Sequence, residues 1–355
     1  MPGWDQTAFR GRVQAALDGF LDEQAVRLAP LGADAARLLA EARAVVSGGK
    51  RFRAAFCYWG FHAVAGLSCA DDDALVRACA ALELLHASAL VHDDYMDASD
   101  TRRGRPATHR MFADEHRGDR WRGDPEQYGA SAAILLGDLL LSWSDELLRR
   151  CGMPLERVAA ALDILDRCRS EVIAGQFLDV SVQARGEADV DLAMTVLRYK
   201  SAKYSIERPL HIGATLAGAS EAHLRELSSF GLPLGEAFQL RDDLLGVFGD
   251  PDQTGKPAGD DLVEGKRTVL VALTLDEAPA PDAARLDAAL GTDLAAEEVA
   301  ELRRIINDSG AHHQVEQVIA ELAGRAATAL RRADLDPQAR DVLLELATAA
   351  TDRVV

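Results

Sequence analysis

The sequence has 355 residues, of which 48% are hydrophobic and 27% charged, a composition typical of a globular protein with a large buried core. Lysine and arginine number 39 against 57 aspartate and glutamate, so the formal net charge is -18. A general affinity for nucleic acid or anionic lipid requires a positive surface potential, and this charge argues against both. We therefore expect anionic ligands to bind only where lysines and arginines cluster.

Helix is the prevailing pattern along the chain. Alanine and leucine are abundant, aromatic residues make up only 5%, and long stretches contain neither glycine nor proline. No repeat of fixed period interrupts this pattern, which predicts an all-α fold. In chain order, the predicted helices span residues 6–28, 34–46, 52–65, 71–97, 130–150, 155–184, 192–206, 222–230, 234–248, 269–275, 295–307, 312–332 and 337–353.

Three segments between the predicted helices are polar or rich in proline. Residues 116–129 are predicted to form a surface loop, and residues 278–287 a linker or long turn. Residues 249–268 differ, because Lys256, Lys266 and Arg267 place cations in an otherwise acidic neighbourhood.

The sequence shows no targeting or membrane-spanning pattern. The first residues, MPGWDQTAFRG, lack a basic region followed by an apolar run, and the most apolar stretch, residues 132–143, is interrupted by Asp138 and is too short to cross a bilayer. We expect a cytoplasmic protein without stable membrane insertion. The cysteines are odd in number and lack CxxC spacing, so neither a disulfide framework nor a zinc site is predicted: Cys57, Cys69, Cys79, Cys151 and Cys168.

The predicted helix 71–97 ends in a pair of carboxylates. Apolar residues recur along it at spacings of three and four, and Asp93 and Asp97 continue the same face one turn apart. Such a pair can converge on Mg²⁺, which commonly completes its octahedron with water and substrate phosphate. The alternative is a solvated acidic helix end. Arg102 and Arg103 follow closely and favour the first interpretation, because guanidinium groups bind phosphate oxygens beside a metal.

A second acidic pair, Asp242 and Asp243, lies on another predicted helix, with Gln239 one turn before it. Two separated acidic helices can close a cavity from opposite sides, as in helix bundles that hold a ligand. Two basic groups accompany them. Lys50 and Arg53 stand at a predicted helix start, and the second group, Tyr199-Lys200-Ser201, lies within a predicted helix.

Together these motifs resemble the trans-isoprenyl diphosphate synthase (polyprenyl synthetase) family. GGKRFR, LLHASALVHDDYMDASDTRRGRPATH, GQFLD, YKS, FQLRDD and GKPAGDDLVEGK occur in the family's order. The resemblance implies a single all-α domain over residues 1–355, a bundle of long helices around a central cavity, assembled as a homodimer. It implies condensation of isopentenyl diphosphate with dimethylallyl, geranyl or farnesyl diphosphate.

The resemblance also implies a role for each matching position. Asp93 and Asp97 correspond to ligands of Mg²⁺, and Asp94 supports them. Asp242, which is followed by Asp243, corresponds to the ligand of a further ion. Three Mg²⁺ per site are implied, and Mn²⁺ would substitute for them. The allylic diphosphate would be held by Arg102, Gln176, Asp179, Lys200, Lys256 and Lys266. Isopentenyl diphosphate would be held by Gly49, Lys50, Arg53, His86 and Arg103.

Catalysis in such a site needs no nucleophilic side chain. Loss of diphosphate leaves an allylic carbocation, and the alkene of isopentenyl diphosphate attacks it. Lys200 through its carbonyl, Ser201 and Gln239 would present oxygen dipoles to the cation, and the released diphosphate would accept the proton.

One position departs from the family pattern. The second motif reads Asp242-Asp243-Leu-Leu-Gly246, with glycine in place of the last carboxylate. Asp250, one turn further on, is a candidate to replace it. Two rival functions follow from the sequence: a non-catalytic subunit of a heteromeric synthase, which Gly246 keeps open, and a class I terpene cyclase, which lacks support because no NDxxSxxxE motif is present.

Product length is predicted from the helix that carries the first motif. In the family the growing chain runs toward the start of this helix, and bulky side chains one to two turns before the first aspartate stop it. Here those positions are Ala89 and Ser88, both small, with Leu85 a turn deeper. We therefore predict geranylgeranyl diphosphate as the main product, with farnesyl diphosphate or a longer chain as the alternatives.

Overall fold

Helices form 82% of the structure, which confirms the predicted all-α class. The computed structural model describes residues 4–67, 72–249 and 259–352. The helices are α1 (Gln6–Leu28), α2 (Ala33–Val45), α3 (Phe52–Ala65), α4 (Asp72–Met96), α5 (Thr108–Gly118), α6 (Pro125–Arg149), α7 (Leu155–Arg185), α8 (Val190–Val196), α9 (Arg208–Ala217), α10 (Glu221–Phe248), α11 (Asp260–Val263), α12 (Val269–Glu277), α13 (Ala280–Ala289), α14 (Ala296–Asp308), α15 (Ala311–Arg332) and α16 (Pro337–Thr351).

Four further elements complete the described chain. A 3-10 turn (Ala29–Leu31) follows α1, and a π-helical segment (Leu197–Glu207) joins α8 to α9. Strands β1 (Thr101–Arg102) and β2 (Arg105–Pro106) pair antiparallel, with Thr101 opposite Pro106. Four residues separate the end of α4 from this hairpin.

Helix α4 is the centre of the bundle and packs against α1, α3, α5 and α6. It is the one helix of the described residues long and apolar enough to cross a membrane, and 78% of its most apolar stretch is buried inside the protein. The sequence pointed instead to residues 132–143, which lie within α6. Burial of this kind is typical of a core helix.

Two apolar clusters share the long helix α10. The larger one joins α1, α3, α4, α6, α7 and α9, and the smaller one joins the second half of α10 to α12, α14 and α15. The acidic residues Asp242 and Asp243 lie in the second half of α10, next to residues of the smaller cluster.

Helix α10 corrects the prediction of two helices separated at Pro233. Proline removes one backbone hydrogen bond and costs about 3 kcal/mol within a helix. Here Pro233 lies inside a continuous helix and is buried. Its neighbour Gly235 packs so closely on the π-helical segment that an added Cβ would lie 2.5 Å from the Ala202 carbonyl oxygen. Tertiary packing therefore outweighs the local preference of Pro233.

The predictions for residues 116–129 and 278–287 were also wrong in part. Residues 116–118 end α5, which the sequence analysis missed, and α6 begins at Pro125 with the Asp124 carboxylate accepting a hydrogen bond from the Glu126 amide at 3.0 Å. Residues 280–287 belong to α13, which starts with a proline in its first turn. Proline is favourable at a helix start, so both segments contain start signals that resembled loop signals.

Candidate active site

A cavity of about 1200 Å³ lies between the long helices, with walls from α3, α4, α6, α7, the π-helical segment, α10 and α11. Asp94 and Asp97 are not part of its wall, and Lys256 and Asp250 lie outside the described residues, as does Cys69. The structure thus brings residues far apart in sequence to one cavity. Its wall includes Gly49, Lys50, Arg53, Leu85, His86, Ser88, Ala89, Asp93, Arg102, Arg103, Gln176, Asp179, Lys200, Ser201, Gln239, Asp242, Asp243 and Lys266.

Asp93, near the end of α4, is held by two side chains from neighbouring elements. Gln176 Nε2 donates to Asp93 Oδ1 at 2.8 Å, and Lys200 Nζ lies 3.3 Å from the same oxygen. Lys200 Nζ also donates to Asp179 Oδ2 at 2.6 Å. Although burial opposes ionisation, the Lys200 ammonium keeps the pKa of Asp93 below its ordinary value. Asp93 is therefore an anion at neutral pH.

The π-helical segment places Lys200 and Ser201 on the cavity wall. Such segments are rare and often occur at functional sites. Helix α7 approaches it without a side chain between the backbones, because a Cβ on Gly175 would lie 2.5 Å from the Lys200 amide nitrogen. This close contact lets Gln176 and Asp179 reach the Asp93–Lys200 pair.

Arg102 and Arg103 occupy the β1–β2 hairpin after α4. Arg102 Nε donates to Asp94 Oδ1 at 2.8 Å, so the buried Asp94 orients this guanidinium. Arg103 and Gly104 form the two-residue turn with φ values of 53° and 73°. Positive φ at both positions is the geometry of a type I′ hairpin turn, and it is uncommon for a residue other than glycine.

Arg103 meets the glycines before α3 across the cavity. Its Nη1 donates to the Ser47 carbonyl oxygen at 2.9 Å, and a Cβ on Gly49 would lie 3.2 Å from its Nη2. Nearby, Arg53 Nη2 donates to Ser205 Oγ at 2.7 Å, and its guanidinium lies 4.2 Å from the centre of the Tyr204 ring. With Lys50, these arginines make one side of the cavity positive.

His86 lies near these cations as a neutral imidazole. Its Nδ1 lies 2.5 Å from the Tyr204 hydroxyl. Burial, followed by the charges of Arg53 and Arg103, lowers the pKa of His86 well below its ordinary value. A neutral His86 bonded to Tyr204 offers its other ring nitrogen to a ligand.

The second acidic pair, Asp242 and Asp243, lies on α10. Gln239 Nε2 donates to Asp243 Oδ1 at 2.8 Å, so the amide oxygen is the end of Gln239 available to a cation. Asp242 also faces the cavity. Lys266 connects the two acidic regions: its Nζ pairs with Glu264 and lies 3.0 Å from Asp261 and 3.6 Å from Asp97.

Crowded carboxylates suit this site to a divalent cation. Burial and the Asp93 carboxylate raise the pKa of Asp97 to about 7, and burial with the Asp261 carboxylate raises that of Asp243 to about 7. The donors are all carboxylate oxygens, the ligands preferred by Mg²⁺. Within the described residues no three such groups converge as a closed metal cage. The residues therefore fit Mg²⁺ ions shared with phosphate, which bind through few carboxylates.

Sequence reasoning missed several residues that shape this site. Tyr204, the partner of His86, follows Lys200 by four residues, a spacing that could have indicated it. Arg51 stands between Lys50 and Arg53 but is buried and pairs with Glu83 at 3.0 Å, so it anchors the start of α3. Asp261, within the GKPAGDDLVEGK motif, also lines the cavity.

Comparison with known proteins agrees with this geometry. Residues 36–308 match the polyprenyl synthetase family. A crystal structure of geranylgeranyl pyrophosphate synthase from Corynebacterium glutamicum, complexed with isoprenyl diphosphate and magnesium, is 41% identical, with a TM-score of 0.96 over 99% of this chain and 100% of that chain. Geranylfarnesyl diphosphate synthase from Aeropyrum pernix is 32% identical over 87% of this chain and 92% of its own length.

A second relative matches a shorter part of the chain. Geranylgeranyl diphosphate synthase from Sulfolobus acidocaldarius is 37% identical over 199 residues, which are 56% of this chain and 55% of that protein. The family match covers most of the described helices and every described charged residue assigned to the cavity. This chain belongs to the polyprenyl synthetase family.

Proposed function

We propose that this protein condenses isopentenyl diphosphate with an allylic diphosphate and releases geranylgeranyl diphosphate as its main product. The observation that carries the proposal is one cavity whose wall includes carboxylates from two acidic helices and a separate set of basic side chains. Two distinct anion sites suit a reaction between two diphosphates. Names of relatives that make geranylgeranyl and geranylfarnesyl diphosphates support the same class of reaction.

The allylic diphosphate would lie beside Asp93, where Lys200, Arg102 and Gln176 face the cavity. Mg²⁺ held by Asp93, Asp97 and Asp242 would neutralise the diphosphate and make it a better leaving group. Lys200 and Arg102 would donate charged hydrogen bonds to the diphosphate oxygens, and such bonds strengthen as negative charge develops. These side chains favour departure of the diphosphate over its retention.

Isopentenyl diphosphate would occupy the basic side. Lys50, Arg53 and Arg103 supply fixed positive charge, and the neutral His86 supplies one further hydrogen-bond donor without adding charge. Because these side chains are different from the carboxylates assigned to the metal, the nucleophilic substrate would bind without competing for the metal. The arrangement therefore favours elongation over cyclisation of a single allylic substrate.

The carbocation left by cleavage would meet oxygen dipoles on the π-helical segment and α10. Ser201 and Gln239 both line the cavity, and the Gln239 amide nitrogen is engaged by Asp243. Attack by the isopentenyl alkene forms the new carbon–carbon bond, and loss of a proton to the departed diphosphate restores a double bond. No side chain changes its covalent state during this sequence.

The proposed product length depends on the residues that line the cavity toward the start of α4. Leu85, Ser88 and Ala89 all line the cavity, and Ser88 is turned aside because its Oγ donates to the Gly137 carbonyl oxygen at 2.7 Å. Ile134 and Leu141 from α6 line the same cavity. Small residues at 88 and 89 leave room beyond farnesyl length, which is the basis for proposing geranylgeranyl diphosphate.

Purified protein tests this proposal directly. Incubated with Mg²⁺, isopentenyl diphosphate and each of dimethylallyl, geranyl and farnesyl diphosphate, it should consume isopentenyl diphosphate and accumulate geranylgeranyl diphosphate, measured by chromatography of dephosphorylated products. Cyclic hydrocarbon without elongation would indicate a terpene cyclase. No turnover by a folded protein would indicate a non-catalytic subunit.

We further propose a homodimer formed through α6 and α7. Ile134 and Leu135 on α6 are 44% and 61% exposed, and Ile173 and Phe177 on α7 are 57% and 73% exposed. Ile134, Ile173 and Phe177 also line the cavity, so a second copy on this face would cover its open side.

Light scattering after gel filtration tests the homodimer. Wild type should elute at about twice 38.2 kDa, and Phe177→Asp should elute as a monomer. Val26→Asp, which places the same charge at another exposed apolar position, should remain dimeric. A dimeric Phe177→Asp protein would place the interface elsewhere.

A further inference from the structure

A short β-hairpin carries Arg102 and Arg103, and its own backbone pairing is too small to hold it in place. Each strand has two residues, and Arg102 lies opposite Arg105. A two-stranded hairpin is at best marginally stable alone, and the positive φ of 53° at Arg103 is costly for a residue with a side chain. Contacts with other parts of the chain must therefore fix this turn.

Glu41 on α2 provides such a contact from outside the cavity wall. Its side chain is 4% exposed, and it does not line the cavity. Arg105 Nη2 donates to Glu41 Oε2 at 3.0 Å, and Thr108 Oγ1 donates to Glu41 Oε1 at 3.0 Å. Burying a carboxylate is costly unless it is paired. Both oxygens of Glu41 are paired with the segment that begins at β2, so they fix this segment against α2.

The two arginines of the hairpin have different supports. Arg102 Nε donates to Asp94 Oδ1 at 2.8 Å, so α4 holds the Arg102 side chain directly. Arg103 instead reaches the segment just after α2, where its Nη1 donates to the Ser47 carbonyl oxygen at 2.9 Å. Loss of the contact between Glu41 and β2 should therefore displace the Arg103 side chain more than that of Arg102.

We propose that Glu41 is a positioning residue for isopentenyl diphosphate, because it holds β2 on α2 and so orients the turn from which Arg103 faces the cavity. The inference rests on the proposed function, since it concerns the basic side chains assigned to that substrate. Glu41 lies outside the cavity wall and acts on the substrate through Arg103. Its loss should weaken binding of isopentenyl diphosphate and leave binding of the allylic diphosphate nearly unchanged.

Initial-rate kinetics of Glu41→Gln test this role. The substitution keeps the shape of the side chain and removes its charge. It should raise the KM for isopentenyl diphosphate about 5-fold and change that for the allylic primer by less than about 2-fold, within the range of coupling inside one hydrogen-bond network. Titration calorimetry of isopentenyl diphosphate without an allylic primer should show the same loss of affinity.

Substitutions of Arg105 and Arg43 provide the matched controls. Arg105→Ala should raise the same KM, whereas Arg105→Lys, which can still pair with Glu41, should retain much of the affinity. Arg43→Ala removes another ion pair of α2, with Asp22 on α1 at 2.6 Å, and should leave both KM values at those of wild type. If Glu41→Gln does not fold, Arg105→Ala decides, because the Arg105 side chain is 48% exposed and tolerates truncation better.

A double variant tests whether Glu41 acts through Arg103. Arg103→Ala alone should raise the KM for isopentenyl diphosphate, and adding Glu41→Gln should raise it no further. Two effects that multiply would overturn the proposal, as would a folded Glu41→Gln protein with equal rises in both KM values.

A merely structural role gives a different result. Glu41→Gln would then melt at a lower temperature and keep the wild-type KM for isopentenyl diphosphate, which would also overturn the proposal. Any of these results with a wild type that consumes isopentenyl diphosphate leaves the proposed function intact, whereas a folded wild type without turnover contradicts both.

Discussion

Replacing Ala89 by phenylalanine should shorten the product from geranylgeranyl to farnesyl diphosphate. Ala89 is half-buried on the cavity wall, four residues before Asp93, a separation of about 6 Å along the helix axis. Leu85, eight residues before Asp93, lies about 12 Å along the same axis. A phenyl ring at position 89 therefore blocks the cavity near half the depth at which Leu85 lies.

Position 88 is a poorer place for the same ring. Ser88 is 2% exposed, and its Oγ donates to the Gly137 carbonyl oxygen. Overpacking a buried position costs about 1–3 kcal/mol, so Ser88→Phe should lower stability as well as change the product. Ala89→Phe should melt close to wild type, which separates the two effects.

The assay is chromatography of dephosphorylated products at equal extents of isopentenyl diphosphate consumption. Ala36→Phe, which adds the same ring at an exposed position of α2, is the matched control and should make the wild-type product. A folded, active Ala89→Phe enzyme with an unchanged product distribution would refute the placement of the growing chain along α4.

Three further outcomes follow from other parts of the structure. Lys50→Ala should raise the KM for isopentenyl diphosphate more than that for the allylic primer; initial-rate kinetics showing the reverse would mean that the two diphosphate sites are exchanged. Burial lowers the pKa of His211 from 6.5 to about 4, so the folded state resists its protonation. Stability should therefore fall as pH drops from 6.5 toward 4, by up to about 3 kcal/mol for this group, and denaturant titrations of His211→Gln should show a shallower fall than wild type; parallel pH profiles would contradict this. Arg241 donates to Glu316 Oε1 and Oε2 at 2.5 and 2.7 Å. Arg241→Ala should therefore lower the free energy of unfolding by about 2 kcal/mol, and Glu316→Gln should lower it by less. Urea unfolding measures both losses, and equal losses would show that the charge of Glu316 is essential.

The sequence predicted the helices best where local and tertiary preferences agree. Helices α1 and α3 have the predicted limits, because apolar spacing and end signals coincide there. Pro233 misled the prediction, since packing against the π-helical segment keeps α10 continuous. Pro279 and Pro281 at the start of α13 caused the same kind of error, because proline both interrupts helices and starts them.

For the candidate site too, the sequence predicted what depends on local motifs and did not predict what depends on tertiary structure. Motif spacing predicted which charged residues share the cavity, and the described ones assigned to its wall lie there, except Asp94 and Asp97. It could not predict pairings set by tertiary structure, such as Gln176 with Asp93 or Asp261 with Gly246, because no sequence period relates these positions. Which residues hold each substrate remains a prediction that kinetics must test.

Incorporation of radiolabelled isopentenyl diphosphate, with and without Mg²⁺, tests the central claim most directly. Wild type should elongate the allylic primer only with Mg²⁺ or Mn²⁺, and Asp93→Ala or Asp97→Ala should abolish turnover more completely than Asp243→Ala. The reason is that the first pair is assigned to the metal beside the leaving diphosphate, whereas Asp243 is turned toward Gln239. Full activity of wild type in excess chelator, or of Asp93→Ala with Mg²⁺, would contradict a metal-dependent prenyltransferase.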